Sequence, residues 1–128
     1  MAKTFIVVAA LAGLLAVVLG AFGAHALRSQ VDASLLAAFN TGAQYQMYHA
    51  LALLMVGMLA YLFPAQKLLR WSGGFFIAGM ILFSGSLYAL ALTQIKWFGP
   101  VTPIGGTAFM MGWLLLAFAA TKFKAVKI

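Results

Sequence analysis

Acid–base chemistry in this chain rests on few groups: two histidines (His25 and His49), four tyrosines and a single carboxylate, Asp32. Cysteine is absent, which removes disulfides, thiolate metal sites and a cysteine nucleophile together. His49 with Ser84 or Ser86 has the ingredients of a nucleophile and its base, but such a site needs a carboxylate to orient the imidazole. Asp32 is better spent as a helix N-cap or as an (i, i+4) partner of Arg28. His25 and His49 could supply an axial pair for haem or two ligands for a metal. Zinc would demand one or two further ligands that the sequence does not offer. The expectation is therefore no catalytic residues, no metal and no cofactor. What remains is hydrogen bonding and proton binding, with His49 able to change charge near neutral pH.

The surroundings of these groups follow from composition. Of the 128 residues, 66% are hydrophobic and 7% charged. A water-soluble sphere of this size could not cover itself with so few charges, so the solvent is lipid. The formal charge of +7 does not indicate nucleic acid, because the basic residues are scattered between apolar runs and do not form a patch. A helix needs about 20 mostly apolar residues to cross a hydrocarbon core. Residues 4–24, 42–63, 71–92 and 103–121 meet that length in a single domain, 1–128. No alternation with period two appears, which excludes a transmembrane barrel. The fold class predicted is an all-α four-helix membrane bundle.

The second span is the least regular. Its purely apolar part, Ala50 to Phe63, reaches about 21 Å at the helical rise. The polar turn from Gln44 to His49 must therefore make up the thickness, and it lies inside the membrane unless the bilayer thins. Asn40-Thr41-Gly42 reads as a chain break. Before it, residues 32–39, with Leu35, Leu36 and Phe39, suit a short helix on the membrane surface. A single helix from Asp32 to Tyr61 is the competing reading. Lys3, Lys67, Arg70, Lys122, Lys124 and Lys127 fall on one side of four crossings and Arg28 and Lys96 on the other, which puts both termini in the cytoplasm. Ala24-His25-Ala26 after an apolar run imitates a secretory cleavage site, but the run is longer than a signal core and cleavage would spoil the charge distribution.

Counted from the cytoplasmic ends, His49, Ser84 and Ser86 all lie about 20 to 22 Å up, with Tyr88 slightly higher. His25 and Thr107 sit near the same outer level. The candidate polar site is thus His25, Tyr45, Tyr48, His49, Ser84, Ser86, Tyr88 and Thr107. It reads either as a structural hydrogen-bond network between the second and third spans or as a functional intramembrane site. Gly13, Ala16, Gly20 and Ala24 in the first span, Gly85 in the third and Gly112 in the fourth are the expected close-packing positions. Thr102-Pro103 looks like a capped helix start, with Gly105-Gly106 exposing backbone that could hold an anion.

Gly20-Ala21-Phe22-Gly23-Ala24-His25-Ala26-Leu27, Tyr45-Gln46-Met47-Tyr48-His49-Ala50-Leu51, Ser84-Gly85-Ser86-Leu87-Tyr88 and Thr102-Pro103-Ile104-Gly105-Gly106-Thr107 with Gly112-Trp113 form blocks along nearly the whole chain. In these blocks the sequence resembles the YgdD-like small bacterial inner-membrane proteins, domain-of-unknown-function family 423. The resemblance implies a multi-pass protein of the bacterial cytoplasmic membrane with no assigned chemistry. The function expected is a non-enzymatic accessory or lipid-interacting element. The alternative is a small transporter or channel subunit, working as an oligomer around His49. Membrane lipids, further copies of the chain or a larger membrane complex are the expected partners, and nucleic acid is not.

Overall fold

A computed structural model describes residues 1–126 as an all-helical chain. Helix α1 spans Ala2–His25 and is followed by a 3-10 turn, Leu27–Ser29. Helix α2 spans Ala33–Leu62. Helix α3, Lys67–Gly79, passes through a π-helical turn, Met80–Ser84, straight into α4, Gly85–Thr93. A second 3-10 turn, Lys96–Phe98, leads to α5, Val101–Ala120. By length and composition four units can cross a membrane: Ala2–Ser29, Ala33–Leu62, Lys67–Thr93 and Lys96–Ala120.

The expected surface helix over 32–39 and the break at 40–42 are not formed; α2 is one helix from Ala33. Asp32 starts it, its side chain accepting from the Leu35 amide at 2.9 Å and from the Ser34 hydroxyl at 2.9 Å. Those two bonds hold the carboxyl below its ordinary range. Neither Asn40, Thr41 nor Gly42 removes a backbone donor, and a helical glycine costs only about 1 kcal/mol. Packing overrides that penalty. Phe39 is fully buried, against Phe22 of α1 and Tyr88 of α4 at ring separations of 5.8 and 5.0 Å. A Cβ on Gly42 would come within 2.9 Å of the Tyr88 ring, so this glycine serves close approach and not a turn.

Helix α1 packs along α2, α5 packs on α3 and the π-turn, and α2 joins the two pairs. Near Gly57, α2 meets Ala2 and Ile6 of α1, and Phe63 at its end stacks on Phe123 at 4.1 Å. The N-terminus, the α2–α3 connection and the segment after α5 therefore share one end of the bundle. Lys3, Lys67, Arg70, Lys122 and Lys124 lie at that end; Lys127 falls outside the described residues.

The helices interlock by setting phenylalanine rings on glycine. Phe5 covers Gly73, Phe109 covers Gly79 and Phe76 covers Gly112, and any Cβ at those glycines would run into the ring. Of the expected packing positions, Gly112 and Ala16 are buried in this way or against α2. Gly13, Gly20 and Gly85 are not closely packed, since a Cβ on any of them would meet nothing within 4 Å, and Ala24 is exposed. The reason lies in the rotation of α1. It turns the line Phe5, Ala9, Ala16 and Gly23 inward, which leaves Gly13 and Gly20 on its flank.

Candidate functional site

The polar side chains form four separate clasps between spans. His49, 5% exposed, makes the first. Its Nδ1 lies 2.8 Å from the Tyr45 carbonyl oxygen, and Trp113 Nε1–H donates to its Nε2 at 3.0 Å. An indole only donates, so Nε2 is the acceptor and the proton sits on Nδ1, donated to the carbonyl. The imidazole lies flat on Phe109, with centroids 3.5 Å apart and planes 9° off parallel. Both ring nitrogens and one face are thereby occupied.

Gln46 makes the second clasp. Its Nε2 donates to the Ala12 carbonyl of α1 at 2.8 Å, and its Oε1 accepts from the Tyr88 hydroxyl of α4 at 2.7 Å. One buried amide thus ties three spans together. Ser86 and Thr102 make the third, oxygen to oxygen at 2.5 Å, with Ser86 also donating to the Phe83 carbonyl at 2.8 Å. The Thr102 hydroxyl then donates to Ser86. The expected capped start at Thr102 is not formed: α5 begins one residue earlier, at Val101 after Pro100, without a side-chain cap, and Thr102 lies within its first turn. Below these, the buried Ser72 hydroxyl makes the fourth, donating to the Gly112 carbonyl at 2.7 Å and joining α3 to α5.

The other sequence-predicted residues lie outside these clasps. His25 is exposed at the end of α1, and His49 is engaged by α5, so the two histidines do not form the pair considered for haem or metal. Thr107 is exposed and its hydroxyl donates to the Pro103 carbonyl at 2.9 Å. Tyr48 is 54% exposed; Tyr45, 39% exposed, rests its ring on Phe83 at 4.8 Å. Ser84 is fully buried in the π-turn, and its Oγ has no hydrogen-bond partner among the described residues. Histidine and serine do not meet.

Gln46, Ser72, Thr102 and Trp113 complete the clasps and were not among the predicted site residues. Trp113 carried a usable signal. An indole in the middle of an apolar span, away from the interface where tryptophan usually settles, must satisfy its N–H inside the protein. Gln46, three residues before His49 in the submerged turn, carried the same kind of signal.

Four long apolar helices joined by buried and part-buried hydrogen bonds define a small multi-span membrane protein. Residues 19–106 match the family described as "Protein of unknown function (DUF423)", and the chain belongs to it. It is 46% identical over 121 residues to the UPF0382 membrane protein YwdK of Bacillus subtilis (strain 168), covering 94% of this chain and 98% of that one. A UPF0382 membrane protein of Staphylococcus aureus (strain bovine RF122 / ET3-1) matches at 46% identity with the same coverage, and one of Staphylococcus epidermidis (strain ATCC 12228) at 42%, again over 94% and 98%. No solved structure matches the chain significantly.

Proposed function

We propose that this chain is a non-enzymatic, multi-pass protein of the bacterial cytoplasmic membrane, with both termini in the cytoplasm, whose polar belt is structural and whose working surface faces lipid. The observation that carries this reading is the closure of His49. A proton relay needs a ring nitrogen free to exchange with a path, and here the Tyr45 carbonyl and the Trp113 indole take both. A hydrolytic role would need an oriented base beside a nucleophile, and His49 bonds to neither Ser84 nor Ser86.

The test uses protein reconstituted into liposomes bearing an imposed pH gradient. Gradient decay is expected to match empty liposomes for both the wild type and His49→Ala, while His49→Ala lowers thermal stability. Decay that is accelerated by the wild type and restored to the empty-liposome rate by His49→Ala would overturn the reading and favour the transporter alternative.

A further inference from the structure

A cleft runs along the outside of the bundle between α1 and the α3–α4 span. Apart from Phe5 on Gly73, those two spans make little direct contact, because α1 packs chiefly on α2. One wall is the stripe Arg70, Gly74, Ile77, Ile81, Gly85 and Tyr88, whose spacings of three and four keep it on a single face. The facing wall is Thr4, Val8, Leu11 and Leu15 of α1, spaced likewise. The inner part of the cleft is a groove of about 460 Å³ with almost wholly apolar walls. Its outer part, near the termini, is a hollow of about 380 Å³ lined by Thr4, Arg70 and Gly74. One helical turn separates Gly74 from Ile77 and Thr4 from Val8, so the hollow and the groove, which share no lining residue, lie in sequence along the same two helices.

We propose that this cleft binds one anionic phospholipid of the leaflet at the termini's end, its phosphate on Arg70 and one acyl chain along the groove. This deepens the lipid-facing reading above and rests on it. Charge selects the headgroup. Arg70 lines the hollow, Lys67 lies one turn before it at the start of α3, and the sole carboxylate, Asp32, caps α2 at the opposite end of the bundle. A guanidinium facing phosphate oxygens forms paired charge-assisted hydrogen bonds. Dimensions select the chain. From Arg70 to Gly85 the cleft runs about 22 Å, more than the roughly 15 Å of one leaflet's hydrocarbon. The groove from Ile77 to Tyr88 is about 16 Å long and offers about 460 Å³. That space can take a hydrocarbon chain and is too small to enclose a helix of about 10 Å diameter.

Two glycines support the assignment. Gly74 and Gly85 each weaken their helix, yet a Cβ at either would touch no other part of the chain. Their bare surface goes unused within the protein and widens the cleft at two points.

Native mass spectrometry of detergent-extracted full-length protein, delipidated and then offered phosphatidylglycerol or phosphatidylcholine, tests the proposal. Phosphatidylglycerol is expected to be retained about tenfold better by the wild type, and Arg70→Gln to remove that preference. Gly85→Leu, whose Cβ meets nothing within 4 Å and whose side chain occupies the groove, is expected to lose both lipids, while Gly20→Leu, equally open at its Cβ but outside the cleft, retains them. Equal retention of the two lipids by the wild type, or unchanged retention by Gly85→Leu, overturns the proposal. So does a wild-type dimer that Gly85→Leu dissociates, since a second copy would then fill the cleft. The gradient assay reads the underlying function independently: loss of lipid selectivity with no flux removes this inference alone, whereas flux through His49 removes the function reading.

Discussion

His49 shows how a single residue can look functional and be held by its neighbours. An imidazole within hydrocarbon invites a proton-transfer role, yet its environment supplies one acceptor at Nδ1 and one donor at Nε2, the complement of the neutral ring. Removing the donor leaves a buried acceptor unpaired. Trp113→Phe is therefore expected to destabilise the bundle by about 1 kcal/mol. In a double-mutant cycle with His49→Phe, read by reversible unfolding in detergent, the coupling is expected near 0.6 kcal/mol and below about 2. Additive losses would mean that the indole and imidazole do not communicate. The candidate site was only partly legible in the sequence for a reason visible at this scale. Depth along a helix can be counted from residue numbers, which brought His49, Ser86 and Tyr88 to one zone. Rotation about the helix axis cannot be counted, and it sends Thr107 and Tyr48 outward, turns Gln46 inward and sets the half-exposed Trp113 with its indole N–H on His49.

Among the elements, α2 and the span containing the π-turn show where local signals yield to packing. The number of spans was legible because an apolar run of 20 residues has little alternative in lipid. The continuity of α2 was legible only as the competing reading of one helix from Asp32 to Tyr61, since Asn40-Thr41-Gly42 has the composition of a turn while Phe39 and Gly42 have the positions of a core. Glycines divide in the same way. Gly79 and Gly13 look alike in sequence, but one lies under the Phe109 ring and the other against nothing. Gly79→Ala should displace Phe109 from both Gly79 and His49 and cost about 1 to 3 kcal/mol. Gly13→Ala should be neutral or stabilising by up to about 1 kcal/mol through helix propensity. Thermal unfolding of the two variants side by side checks the contrast, and equal effects would refute it. At the start of α2, Asp32→Ala should lower the melting temperature at neutral pH. The carboxyl's folded pKa is depressed, so its stabilisation is present above the unfolded value of about 4 and is lost as pH falls through the lower folded value. The variant and wild type should thus converge in strong acid; a melting difference that persists there would assign the effect to something other than the ionised cap.

For the whole molecule, the clasps, the cleft and the charge distribution share one axis. The end that gathers the termini and the α2–α3 connection carries Lys3, Lys67, Arg70, Lys122 and Lys124, and the other end carries Arg28 and Lys96. Under the rule that basic residues stay in the cytoplasm, this asymmetry orients the bundle, and it also sets which leaflet the mouth of the cleft at Arg70 faces. The absence of native cysteine makes the orientation directly measurable, because every introduced thiol is a unique reporter. Ala65→Cys and Ala125→Cys, both exposed at the basic end, should resist a membrane-impermeant maleimide applied to intact spheroplasts and react only after lysis. Gln30→Cys and Ile95→Cys, exposed at the other end, should react without lysis. The reverse pattern would turn the molecule over. Arg70 would then face the outer leaflet, and the lipid it selects would have to come from there. A mixed pattern, with Gln30 and Ile95 labelled on different sides, would contradict the four crossings themselves, because the two connections they mark lie at one end of the bundle and need an even number of spans between them.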